Sequence, residues 1–180
     1  MPKSKEETEY AMVRAFLKKE SGSDRMLYDY LSPVLYPICL RYGNNSMDAD
    51  DMFQDSMVRI FQRLSAFRFQ GSMEGWAKKV CVNQCLDILR KKSSFKEDSL
   101  SEDHIQVKAK EVSVEEKLIH EQLLESLHRL PSGYRTVFNM YVIEGYSHQE
   151  IAEKLGITES TSKTQLFKAR KQLQRWLNRD

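Results

Sequence analysis

The sequence predicts an all-α protein: two small helical domains joined by a flexible linker. Three observations carry this. Glycine and proline number only 7 and 4 among 180 residues, so long stretches run without a helix breaker. Apolar residues in those stretches recur at the three- and four-residue spacing of one helical face. Between residues 93 and 113 that spacing is lost, and serines and acids take over, which is the composition of a tether.

The first predicted helix covers Lys5–Glu20, with Tyr10, Val13, Ala15, Phe16 and Leu17 among charges, and Ser21-Gly22-Ser23 breaks it. A second begins near Asp24, a capping residue, and carries Met26, Leu27, Tyr30 and Leu31. Pro33 suits the first turn of a third helix bearing Val34, Leu35, Ile38, Cys39 and Tyr42. Pro37 would bend it, and Gly43–Ser46 closes it. A fourth helix spans about Ala49–Ala66. Asp48, Asp50, Asp51 and Asp55 crowd its start, where the helix dipole favours acids. Met52, Phe53, Met57, Ile60, Phe61 and Leu64 form its apolar stripe. After the loop Phe67–Ser72, a fifth helix runs from about Met73 to Lys92. Helical spacing resumes near Val114 with Leu118, Leu123, Leu127 and Leu130. Pro131-Ser132-Gly133 reads as a turn, Tyr134–Val142 as a short helix, and Glu144-Gly145-Tyr146 as a further turn.

The formal charge is only +2, but it is unevenly spread. Acids dominate Glu97–Glu116. Bases dominate Ala66–Lys92 and again Glu159–Arg179, where Lys163, Lys168, Arg170, Lys171, Arg175 and Arg179 face only Glu159. The three cysteines, Cys39, Cys81 and Cys85, form no disulfide framework and fit a reducing compartment. Cys81 and Cys85 lie one helical turn apart without a matching pair. They read as buried apolar residues rather than metal ligands. Neither a signal peptide nor a membrane-spanning stretch is expected, so a cytoplasmic location is. No nucleophile–base set or phosphate loop is present, so neither an enzyme nor a cofactor site is expected.

The C-terminal pattern is the most informative. Ser147-His148-Gln149-Glu150 has the form of a capping box, and Ile151, Ala152 and Leu155 mark the buried face of a short helix. Gly156 can close it in a left-handed conformation, and Thr158 can cap the next helix. A short helix, a glycine turn and a longer basic helix compose a helix-turn-helix. On the second helix, Leu166, Ala169 and Leu173 fall on one side. Ser160, Thr161, Thr164 and Lys168 fall opposite, with Lys163 and Gln165 flanking. Hydroxyls and long donors suit a major groove. Arg170 and Lys171, further along, suit backbone phosphate.

In the N-terminal half, the acidic helix start suits docking on a basic protein partner more than acid–base chemistry, since no histidine stands near it. Phe67, Phe69 and Trp76 lie beside Arg68, Lys78 and Lys79, a combination that can hold single-stranded nucleic acid. A core role for Phe67 and Trp76 stays open. Asn83 and Gln84 add amides able to read a base.

The order of these parts resembles bacterial sigma factors of the sigma-70 family. Asp48-Ala49-Asp50-Asp51-Met52-Phe53-Gln54-Asp55, then Phe67 to Trp76, then Asn83-x-x-x-Asp87-x-Leu89-Arg90, resemble region 2. Leu127-x-x-Leu130-Pro131-x-x-Tyr134-Arg135-x-Val137-Phe138, followed by Gly145-Tyr146-Ser147-x-x-Glu150-Ile151-Ala152-x-x-Leu155-Gly156, resemble region 4. The short linker and the little sequence before region 2 match the extracytoplasmic-function group.

The resemblance implies residues 1–22 as an N-terminal segment, 23–93 as region 2, 94–114 as the linker and 115–180 as region 4. It also implies a sigma factor that binds core RNA polymerase and promoter DNA, and for which an anti-sigma partner is usual. Asp51, Gln54 and Asp55 would dock on polymerase. Phe69, Gly71, Ser72, Met73, Glu74, Trp76, Lys79 and Asn83 would take the minus-ten element. Ser160, Thr161, Lys163, Thr164, Gln165, Lys168, Arg170 and Lys171 would take the minus-thirty-five element. The chain departs from the family pattern at Ser162, usually apolar, and at Gln165, often basic. A stand-alone helix-turn-helix regulator and a helical adaptor without DNA contacts are the competing readings.

Overall fold

A computed structural model describes residues 4–91 and 122–177. Among these residues the chain is helical and contains no strand. Helix α1 (Lys5–Leu17) begins with a reciprocal capping box between Ser4 and Glu7. Helix α2 (Ser23–Tyr42) is continuous through Pro33 and Pro37. The sequence had suggested two helices with a break before Pro33. Burial explains the difference: Leu27 and Leu31 before the proline, and Leu35, Ile38 and Cys39 after it, face one core. Pro33 itself turns to solvent. The shared apolar stripe offsets the backbone hydrogen bonds the prolines remove.

Asn45 caps α3 (Ser46–Arg63) by accepting the Asp48 N–H at 2.8 Å. The helix therefore starts three residues earlier than its apolar stripe indicated. A 3-10 turn over Leu64–Ala66 ends it, and α4 (Met73–Lys91) follows the loop. Helices α2, α3 and α4 pack mutually, and α1 lies across α2 and α4.

In the C-terminal half, α5 is described over 122–128. Helix α6 (Ser132–Phe138) starts one residue after Pro131, so the expected turn is the helix entry itself. It runs into a single π-helical segment, Asn139–Ile143. Helices α7 (His148–Leu155) and α8 (Glu159–Leu177) complete the unit. The linker expected over 94–114 lies outside the described residues.

The two halves touch. Val137, Met140, Ile151, Leu155 and Leu166 join the same buried cluster as the N-terminal core. Arg41 on α2 pairs with Glu144 at 3.0 Å, and its carbonyl accepts the Asn139 amide at 2.9 Å. Arg135, nearly fully buried, donates to Asn44 Oδ1 at 2.6 Å. No described helix is long and apolar enough to cross a membrane.

Candidate nucleic-acid interface

The C-terminal motif forms as its local chemistry dictates. Ser147 and Glu150 make the expected capping box. Gly156 closes α7 at φ 68°, a left-handed position where a side chain would be strained. Thr158 Oγ1 accepts the Thr161 N–H at 3.0 Å and so caps α8. Ile151, Leu155, Leu166 and Ala169 bury the inner faces of the two helices.

The outward face of α8 differs from the expectation in three places. Ser160, Lys163, Thr164, Lys168, Arg170 and Lys171 are exposed, while Thr161 is half-buried. Gln165 is half-buried too, and its side-chain amide lies over Gly133 at the start of α6. It faces the body of the unit rather than a groove. Phe167, which sequence reasoning passed over, is 66% exposed. At 100° per residue it stands between Ser160, Lys163, Thr164 and Lys171, in the middle of the free face. The helical spacing alone could have found it, but attention to polar donors hid it. Lys168 Nζ sits 5.7 Å from the Tyr134 ring and Arg170 sits 5.7 Å from that of Tyr141. Both cations are thus steered along the flanks of α8.

Ser162 is fully buried, and its hydroxyl has a partner: His148 Nδ1 at 2.9 Å. His148 in turn stacks on Tyr141, centroids 4.4 Å apart. Burial, and then the positive charge of Lys163, lower the His148 pKa.

The second surface is built on the loop before α4. Phe67 is core, which settles the question left open for it. Trp76 is half-buried, its ring 5.8 Å from Phe67. Phe69 adopts a positive φ of 54° and stands edge-on to Tyr10, with the Arg14 guanidinium 5.4 Å from its ring centre. Gly71 and Ser72 are exposed, and the Gly71 carbonyl accepts the Tyr10 hydroxyl at 3.1 Å. Met73 is corrected: its side chain is fully buried, because it opens the apolar stripe of α4, and it offers no surface to a base. Glu74 bonds Lys5 at 2.7 Å and Lys78 at 2.8 Å, and these hydrogen bonds hold its carboxyl below the usual range. Lys79 and Asn83 are exposed on the same face of α4 as Trp76. Asn83 Oδ1 accepts Lys154 Nζ of α7 at 3.1 Å, so the helix-turn-helix rests against the end of this face. The contribution of α1, through Lys5, Glu9, Tyr10 and Arg14, was not legible in the motif, which begins after it.

The third surface is the free side of α3. Asp51, Gln54 and Asp55 are exposed. Their side chains make no hydrogen bond or ion pair with any described residue. Met47 and Val58, 73% and 54% exposed, continue the same face above and below them.

Residues 27–95 match the family description "Sigma-70 region 2", and residues 120–173 match "Sigma-70, region 4". The ECF RNA polymerase sigma factor SigM of Mycobacterium tuberculosis is 30% identical over 160 residues, which cover 87% of this chain and 80% of that protein. SigW of Bacillus subtilis, also an ECF RNA polymerase sigma factor, is 24% identical, covering 92% of this chain and 97% of its own length. SigE of Mycolicibacterium smegmatis is 28% identical over 79% of this chain, which spans 57% of that longer protein. Two solved structures share the fold. CnrH in complex with the cytosolic domain of CnrY has a TM-score of 0.51 at 20% identity, covering 96% of this chain and 98% of CnrH. The sigma factor RpoE in complex with the anti-sigma factor NepR, from Bartonella quintana, has 0.53 at 17%, covering 88% and 99%.

Proposed function

The chain belongs to the extracytoplasmic-function group of sigma-70 RNA polymerase sigma factors, and on that premise we propose how its surfaces divide the work of promoter-specific initiation. A sigma factor is not an enzyme; it acts by placing polymerase. Residues 23–93 serve as region 2 and residues 115–180 as region 4, joined by 94–114. The free face of α3, with Asp51, Gln54 and Asp55, docks on core polymerase. Phe69, Gly71, Ser72, Glu74, Trp76, Lys79 and Asn83 take the unpaired minus-ten strand, with Met73 holding the loop from beneath. Ser160, Lys163, Thr164, Phe167 and Lys171 enter the minus-thirty-five groove, while Lys168 and Arg170 meet phosphate at its edges. The protein works in the cytoplasm, where polymerase and promoter are. RpoE is held by an anti-sigma factor, and we infer a partner of that kind here.

The observation that carries this reading is the exposed pair Asp51 and Asp55 on α3, whose carboxylates bond no described residue. A stand-alone helix-turn-helix regulator has no use for it. The test is run-off transcription with core polymerase and the full chain, wild type against Asp51→Arg/Asp55→Arg. Wild type is expected to support initiation. The variant is expected to lose it and to lose co-elution with core while keeping its helical spectrum. Initiation by the charge-reversed variant at the wild-type level would remove the docking assignment. Duplex binding without any polymerase-dependent transcript would favour the regulator.

A further inference from the structure

Three sulfurs meet inside the N-terminal core. Cys39 comes from α2, and Cys81 and Cys85 from successive turns of α4; all three are fully buried. Their Sγ atoms lie within 4.8 Å of one another, and those of Cys39 and Cys81 are 3.6 Å apart. The sequence showed Cys81 and Cys85 as an incomplete pair. The packing of α2 on α4 supplies the third member.

The spacing is informative. Zinc–thiolate bonds are about 2.3 Å long, and three sulfurs at that distance around a common centre, in one plane, stand about 4 Å apart. The observed separations bracket that value, so small side-chain rotations would close the group around an ion. No carboxylate or imidazole joins the cluster among the described residues. The Ser56 hydroxyl, on the neighbouring turn of α3, is committed to the Met52 carbonyl at 2.6 Å. A structural zinc ion requires a fourth ligand, and a catalytic one requires water in an open position. The buried group supplies neither. Soft sulfur ligands without a fourth donor suit monovalent copper.

We propose that Cys39, Cys81 and Cys85 form a buried three-sulfur site for one soft, thiophilic metal ion, with monovalent copper the best fit. On binding, the ion displaces thiol protons to solvent. It then ties α2 to α4 directly behind the face that carries Trp76, Lys79 and Asn83. It also lies close in sequence to Arg41, which grips Glu144 of the C-terminal half. Small apolar packing by three cysteines would produce the same burial but no uptake.

The experiment uses the full chain, reduced and anaerobic, incubated with monovalent copper in competition with a chromophoric copper(I) chelator. Incubation matters because a buried site fills only when α2 and α4 part briefly. One copper per chain is expected, with Cys39→Ala, Cys81→Ala and Cys85→Ala each weakening uptake more than about 100-fold. X-ray absorption of the loaded wild type needs no variant: three sulfur neighbours are expected. Absence of uptake, uptake unchanged in Cys85→Ala, or a shell containing nitrogen or oxygen donors overturns the proposal.

Discussion

Glu9 Oε2 accepts the backbone N–H of Met73 at 2.8 Å, fastening the first helix to the first residue of α4. The carboxylate is fully buried. Its other oxygen accepts the Tyr30 hydroxyl at 2.9 Å and the Ser72 hydroxyl at 3.3 Å. A buried carboxylate is tolerated only when its lone pairs are used in this way. Burial first, and the bond to Glu9 second, push the Tyr30 phenol up to about 12. The segment before residue 23 therefore helps to hold the loop that precedes α4.

Glu9→Ala is expected to destabilise the protein by about 2–4 kcal/mol, because it leaves the Met73 N–H and the Tyr30 hydroxyl without their acceptor. Loss of minus-ten recognition should accompany it, since Ser72 and Met73 lose their anchor. Denaturant unfolding gives the first quantity, and permanganate footprinting of the opened promoter gives the second. A Glu9→Ala protein with the wild-type unfolding midpoint would contradict the anchoring role.

The Ser162–His148 hydrogen bond makes a second prediction. It joins the two helices of the helix-turn-helix from inside, so it sets the angle at which α8 is presented. Ser162→Ala should lower stability by about 1 kcal/mol, the ordinary net value of one hydrogen bond. Duplex affinity should fall modestly through the altered presentation. If thermal melting and promoter footprints both match wild type, the hydroxyl is only a filler of the family's apolar position.

Phe167 and Gln165 exchange their expected importance. Phe167→Ala removes an exposed ring from the centre of the free face of α8. It should weaken minus-thirty-five binding by about 1 kcal/mol, roughly fivefold, at positions where a thymine methyl can be touched. Its melting temperature should not move, because the ring is mostly in solvent. Gln165→Ala should do the reverse, leaving recognition intact and loosening the contact with Gly133. Mobility-shift titrations across single-base variants of the element separate the two outcomes. Stronger loss of binding from Gln165→Ala than from Phe167→Ala would restore the original assignment.

Much of this architecture was legible in the sequence because it rests on local rules. The Ser147–Glu150 capping box, the left-handed Gly156 and the Thr158 cap depend on residues within one turn of each other, and each formed as read. The continuity of α2 through Pro33 was not legible. It depends on a core assembled from α3 and α4, and that core overrides the local cost of the prolines. The burial of Met73, the support from Glu9 and the meeting of Cys39 with Cys81 were hidden for the same reason. Each is a contact between residues far apart in the chain, and helical periodicity reports only which face is apolar. The inward turn of Gln165 shows the limit from the other side. Its position on the wheel lies near the boundary of the buried face, where the neighbour across the interface, here Gly133, decides.

The contact between the halves gives a pH prediction. His128, at the end of α5, has its pKa lowered to about 4, first by burial and then by the positive charge of Arg135. Arg135 is lowered only to about 10, chiefly by burial, with Asp48 opposing, so it stays charged at neutral pH. In the unfolded chain His128 titrates near its ordinary value of about 6.5. Between these two values the unfolded chain binds a proton that the folded chain refuses, so stability rises with pH across that window. It should be fully present above about pH 6.5, decline as pH falls towards 4, and level off below. A shift of this size corresponds to roughly 3 kcal/mol at most. His148, lowered in the same direction, should steepen the same slope. Urea unfolding midpoints followed from about pH 7 to pH 4 measure it. His128→Gln, which carries no titrating proton, should flatten the profile without removing the contribution of His148. Parallel profiles for wild type and His128→Gln would show that this histidine is not the acid-sensitive group between the two halves.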